Sequence, residues 1–173
     1  MWMSNKSLCA LIGAAVTVAM IGFSVVGNAD PAADARKAIQ GQYDKSNAAV
    51  AKKDLKGFIA IYSPDYVRTD AKGQTSNFKR IRQQTALKFS QTASVIGKSS
   101  LVSIKLTGVT AVVHVKDHRI FAYASPQSGN TQKITVDTIS DDTWVQSAGV
   151  WLDTGSKIIS ETSSIDGKVV PNP

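Results

Sequence analysis

Cysteine is almost missing from this chain. The one cysteine, Cys9, lies in an apolar N-terminal run, so everything after that run is free of thiols. Thiol catalysis, thiolate metal ligation and disulfides are excluded there, and stability must come from a packed apolar core. Histidine is nearly as scarce, with His114 and His118 alone. At helical spacing they would suit a metal. The segment Val112 to His118 lacks the glutamate of the HExxH zinc pattern, however, and is rich in β-formers. On a strand the two share a face about 13 Å apart, at about 3.3 Å per residue, too far for one ion. No third ligand is in reach of the pattern, so no metal is expected. His114 stays on the list of pocket residues as a lone acid/base or hydrogen-bonding group, against the alternative of an ordinary exposed or satisfied histidine.

Other signatures are missing too. Gly97-Lys98-Ser99 resembles the end of a phosphate loop, but Thr92 stands where the first glycine belongs and a strand follows. Nucleotide binding is excluded on that ground. There is no Gly-x-Ser-x-Gly elbow and no readable Ser–His–acid set. No motif implies a cofactor. The formal net charge is +7, yet the cations between Lys52 and Lys105 are dispersed, with no basic arm and no aromatics interleaved with them. A solvated surface is expected rather than a nucleic-acid interface.

The N-terminal run itself is informative. Lys6 precedes an apolar stretch from Leu8 to Val26, and Gly27-Asn28-Ala29 supplies small residues at a cleavage site. Residues 1–29 read as a secretory signal peptide cut near Ala29, with export to the periplasm or the extracellular space and no stable membrane anchor afterwards. A retained anchor is the alternative, because the run approaches the roughly 20 residues of a span. Residues 30–168 read as a single α+β domain and 169–173 as a loose tail.

Within the domain, Asp30-Pro31 suits a helix start, and Ile39, Tyr43, Ser46 and Val50 form one stripe of a helix ending near Lys53. Gly41 either costs that helix about 1 kcal/mol or permits close packing. Asp54 caps a second helix carrying Leu55, Phe58, Ile59 and Tyr62. Ser63-Pro64 should end it, with a strand over Tyr66 to Thr69 and a turn at Asp70 to Gly73. Ser76 or Asn77 caps a third helix running to about Gln91, with Phe78, Ile81, Thr85 and Phe89 inward. Strands follow: Ser99 to Leu106 with Val102, Ile104 and Leu106 on one face; Val109 to Ala124 with a bulge at Ala111-Val112-Val113; a loop over Ser125 to Asn130; Thr131 to Gln146; Val150 to Leu152; and Lys157 to Ile165. Short turns imply an antiparallel meander.

The long helix with Tyr43, the Lys53-Asp54-Leu55 step, Ile61-Tyr62-Ser63-Pro64-Asp65-Tyr66-Val67 before Gly73, and the Asp142-Thr143-Trp144 and Gly149-Val150-Trp151 strands carry a resemblance. The chain resembles the nuclear-transport-factor-2-like superfamily over most of residues 32–165, in particular its SnoaL-like and ketosteroid-isomerase-related secreted members. The resemblance implies a cystatin-like cone: a curved antiparallel sheet packed on about three N-terminal helices around a conical pocket. Members include isomerases, cyclases, dehydratases, ligand binders and association domains, so fold leaves function open. In the isomerase branch a tyrosine of the first helix is the oxyanion donor and an aspartate of the first strand the base. By position these would be Tyr43 and Asp70, while the second acid has only Asp117 and Asp137 as candidates. The turn reading of Asp65 and Asp70 stands ahead of the catalytic one, since Asp favours turns for its own hydrogen bonds. Tyr62, Tyr66, His114 and Trp144 are expected in the pocket wall.

The expected function is an exported domain whose apolar cone binds a small apolar or aromatic ligand, or supports association, without catalysis. The alternatives are an isomerase- or cyclase-like enzyme moving a proton on a small apolar substrate, and a structural homodimer joined through the outer sheet face.

Overall fold

The computed structural model describes residues 30–124 and 130–170. The segment expected to be a signal peptide and most of the loop at 125–130 therefore lie outside the described residues. Helix α1 (Pro31–Ala51) starts where Asp30 accepts a hydrogen bond from the Ala32 amide and Pro31 fills the first turn. Its buried stripe includes Ile39, Tyr43, Ser46 and Val50, as the spacing predicts. Lys53 turns the chain with φ 53°. Asp54 then caps the short α2 (Leu55–Ile59) by accepting from the Gly57 amide.

Strand β1 (Tyr62–Thr69) begins before Pro64 rather than after it. Its register against β6 shifts between Tyr62 and Val67, so Pro64 falls in the irregular stretch of the strand. After β2 (Thr75–Asn77) comes α3 (Phe78–Gln91), capped by Asn77. Four long strands follow: β3 (Ser94–Thr107), β4 (Thr110–Ala124), β5 (Thr131–Ser147) and β6 (Val150–Ile165). Lys168–Val170 forms β7 against β6, so the sheet continues into what reads from sequence as tail.

The strands make one curved, unclosed sheet of seven, ordered β2-β1-β6-β5-β4-β3 with β7 beside β6. It is mixed rather than wholly antiparallel, because β1 pairs with β6 in parallel. The two are far apart in sequence, with α3 and the meander between them, so a parallel join is available. The bulge expected in β4 lies instead in β3, between Leu101 and Ser103. Leu101 is therefore buried, and Val102 is 47% exposed rather than sharing the inner face of Ile104 and Leu106. Val112 also points outward, which keeps β4 in strict alternation. Strand β6 is continuous through Thr154-Gly155-Ser156, with two irregularities against β5 that take up its extra residues. A Cβ on Gly155 would stand 3.2 Å from the Val67 carbonyl oxygen, so glycine lets β1 approach.

Helix α1 lies across the inner face, where Ile39 and Tyr43 pack with Leu101, Val113, Trp144 and Trp151. A second cluster joins Val50 and Phe58 to Phe89, Val95 and Phe121. No described helix is long and apolar enough to cross a membrane.

Two glycines separate packing from propensity. A Cβ on Gly57 would meet the Ala49 Cβ at 2.9 Å and the Asp54 carboxylate at 2.5 Å, whereas Gly41 has nothing within 4 Å. Close packing thus explains Gly57 and not Gly41. Gly57→Ala is expected to lower unfolding free energy by about 1–3 kcal/mol. Gly41→Ala should raise it by about 0.4–1 kcal/mol. Urea denaturation of the two variants checks both signs.

Candidate ligand cavity

The curvature of the sheet leaves a cavity of about 230 Å³ between its inner face and the helices. Its deepest wall is built from three elements. Helix α1 presents Tyr43, β5 presents Asp142 and β6 presents Asp153. Period-two alternation accounts for the acids: Asp142 shares a face with Trp144, and Asp153 shares one with Trp151. The two tryptophans are driven into the core and carry the carboxyls inward with them.

The Trp144 indole N–H donates to the Tyr43 hydroxyl oxygen at 3.2 Å. The Tyr43 hydroxyl in turn donates to Asp142 Oδ2 at 2.6 Å. The rings of Tyr43 and Trp144 meet edge to face, 5.1 Å between centroids. The other carboxyl oxygen, Asp142 Oδ1, is buried without a hydrogen-bond partner. The carboxyl pKa of Asp142 is raised, first by burial; the hydroxyls of Ser156, Tyr43 and Ser140 pull it back, and Asp117 adds to the rise. The Asp153 side chain, only 2% exposed, is pushed well above the ordinary carboxyl range by burial and then by Asp142. The Gly155 amide, donating to Asp153 Oδ1 at 3.0 Å, opposes that shift. Because Oδ2 of Asp142 already accepts from Tyr43, a proton taken up by this carboxyl belongs on Oδ1.

Aromatic rings form the middle of the cavity. Tyr62 and Tyr66 lie 4.4 Å apart by centroid, and Phe58 stands edge-on to Tyr62 and Phe89. Burial raises the hydroxyl pKa of both tyrosines, which stay neutral phenols. Towards the opening the lining becomes charged. Arg119 pairs with Asp117, which also accepts from Ser99, and Arg68 meets Glu161 at 3.4 Å. Lys88 completes this rim, and a polar cleft between the β1–β2 turn and α3 continues outward from Arg68, Gln84 and Lys88.

No protein-family model matches the sequence, and no curated protein matches it. Solved structures do match. A type 2 hexachlorocyclohexane dehydrochlorinase is 14% identical with a TM-score of 0.59, covering 80% of this chain and 95% of its own. A provisionally assigned scytalone dehydratase from Novosphingobium aromaticivorans is 12% identical with a TM-score of 0.64, over 80% and 93%. A domain of unknown function with a cystatin-like fold from Nostoc punctiforme is 15% identical with a TM-score of 0.53, over 70% and 74%. The chain has a nuclear-transport-factor-2-like fold.

Within this nuclear-transport-factor-2-like cone, Tyr43, Tyr62 and Tyr66 all line the cavity. Trp144 is fully buried behind Tyr43 and positions it rather than facing the space. Asp70 is not brought to Tyr43. Its side chain accepts from the amides of Lys72 and Gln74 at 2.9 and 2.8 Å and holds the β1–β2 turn, at the edge of the outer cleft. The acid beside Tyr43 is Asp142, which pattern reading passed over. Asp117 is inside but tied to Arg119, and Asp137 is on the outer face with His118 at 2.6 Å. His114 is on that outer face too, 2.8 Å from Asp141, because its register position is opposite to that of Val113 and Val115. Among the described residues no group of three or more metal-ligating side chains converges.

The burial of Asp153 has a stability signature. Its folded pKa lies above that of the unfolded chain, so over the interval between them the folded form holds the extra proton. The contribution of this group is complete below about pH 4 and is lost as pH rises through the folded value. Asp153→Asn removes that loss. Denaturant titrations of parent and variant should show the difference moving in the variant's favour as pH rises from about 4. A difference that stays flat with pH would show that Asp153 ionises normally.

Proposed function

We propose that the cone binds a small, largely apolar organic molecule through one oxygen atom, received by the buried carboxyl of Asp142. The observation that carries this reading is Asp142 Oδ1, a buried oxygen without a hydrogen-bond partner on a residue that lines the cavity. Buried polar groups are paired in nearly all folded proteins, and an orphan inside a cavity is completed by what enters it. Tyr43 and Trp144 fix the carboxyl from behind, so no reorganisation is needed when a ligand arrives. The rings of Phe58, Tyr62 and Tyr66 supply apolar walls of the right depth for one ring system.

Thymol and p-cymene differ only by a hydroxyl and test the reading directly. Thymol should bind about tenfold more tightly, the size of one buried hydrogen bond. Asp142→Leu should erase that preference while keeping affinity for p-cymene. Equal binding of the two by the parent protein, followed by calorimetry, would sink the assignment of Asp142 as the oxygen receptor.

A second reading, proton-transfer catalysis, is favoured by the presence of two carboxyls of raised pKa on one wall beside a tyrosine. Such groups can give or take a proton near neutral pH. Two of the structures with this fold carry names of elimination enzymes, a dehydrochlorinase and a dehydratase. Both histidines are on the outer face, so the candidate bases beside Tyr43 at the inner end are the carboxylates of Asp142 and Asp153. Exchange of the α-protons of acetophenone in heavy water, read by NMR, separates catalysis from binding. A catalyst exchanges them faster than buffer and slows with Asp153→Asn; a rate equal to buffer leaves binding alone.

A further inference from the structure

The charged rim of the cavity is uneven. Arg68 is engaged by Glu161, and Arg119 by Asp117. Lys88 is the third cation, and among the described residues no carboxylate lies within ion-pair distance of it. Its ammonium group stands 5.5 Å from the centre of the Phe121 ring, on the wall of the cavity. Desolvation, then Arg68, then Arg119 lower its pKa, and Glu161 opposes them. Lys88 is an exposed cation beside a ring and two other cations, without a carboxylate of its own, and so offers a place for an incoming anion. Lys88 also lines the outer cleft, so it stands where the cavity opens, at the other end from Tyr43, Asp142 and Asp153.

The two ends therefore differ in kind. Burial disfavours charge at the inner end, which suits a neutral oxygen, while the rim suits a negative charge. We propose that the cone takes an amphipathic organic acid, its carboxylate held at the rim by Lys88, its apolar body between Phe58, Tyr66 and Phe121, and a neutral oxygen or hydrocarbon end at Asp142. This rests on the ligand-site reading above and adds the charge and direction of the ligand. Arg68 and Arg119 are less available to the ligand, since their guanidinium groups are already paired with Glu161 and Asp117, which leaves Lys88 as the net charge of the rim. An amine-bearing ligand is disfavoured in the same orientation, because it would meet Lys88 with Arg68 and Arg119 already paired to Glu161 and Asp117.

Cinnamate and methyl cinnamate have the same ring and chain and differ in charge at one end. Calorimetric titration of the full-length protein should show cinnamate binding about tenfold more tightly than the ester, as for one charge-assisted hydrogen bond. The advantage should shrink as salt is raised. Lys88→Met should remove it while ester affinity is retained, and Lys88→Glu should reverse it. Lys45→Met, an exposed change on α1 away from the cavity, should leave it intact and so separates local recognition from net charge. Ester binding equal to or tighter than cinnamate in the parent protein overturns the proposal and leaves the cone as a ligand site. A full preference retained in Lys88→Met overturns it as well. Binding of neither molecule removes the ligand-site reading together with this one.

Discussion

A carboxyl group held out of water is the constraint on which the site depends. Asp142 is tied through Oδ2 to Tyr43 and through Tyr43 to Trp144, so α1 and β5 are joined across the core by two hydrogen bonds. Each such bond is worth only about 0.5–1.5 kcal/mol net, while leaving the partner of a buried polar group unmade costs about 1–3 kcal/mol. The chain of bonds is thus less a source of stability than a condition for burying the acid at all. Once the acid is buried, its charge is disfavoured, and Asp153 beside it is disfavoured further. The inner end of the cone becomes a place for neutral oxygen.

The fold positions this end by a small number of irregularities. Bulges in β3 and β6 bend the sheet and let inward alternation resume on the far side. As a result Trp144 faces Asp153, and Asp142 faces Ser156, across one ladder. Gly155 allows β1 to close on β6 in parallel and complete the wall that holds Tyr62 and Tyr66. Polarity then runs in one direction: buried acids and a tyrosine inside, rings in the middle, and Arg68, Lys88, Arg119, Asp117 and Glu161 towards the opening. That order, rather than any single residue, distinguishes this cavity from an ordinary core defect.

Much of the frame is legible in the residues. The stripe Ile39, Tyr43, Ser46 and Val50 is buried as its spacing predicts, and the caps Asp30, Asp54 and Asn77 stand where helices begin. Tyr43, Tyr62 and Tyr66 reach the cavity because aromatic residues on inward faces have nowhere else to go. The acids are another matter. Asp70 follows a strand in the position of the isomerase base, yet the amides of Lys72 and Gln74 capture it, as turn chemistry favours. Asp142 and Asp153 carried a usable signal, each two residues from a tryptophan on an alternating strand. That signal is weak from sequence because a charged residue at such a position is more often exposed. His114 fails for the complementary reason, since strict alternation in β4 commits Val113 and Val115 to the core and His114 to the outer face.

By itself, then, the sequence determined that this is an α+β domain of helices followed by a meander, without thiols and with an aromatic inner face. Periodicity, caps and turns are local and short-range, so composition and spacing suffice for them. Only the tertiary structure decided which acid meets Tyr43, which cations are paired and which one is left at the opening. Those outcomes depend on register shifts of one residue in β3 and β6 and on a parallel contact between strands distant in the chain. A one-residue slip sends every following side chain to the other face, and no local pattern records where the slip occurs.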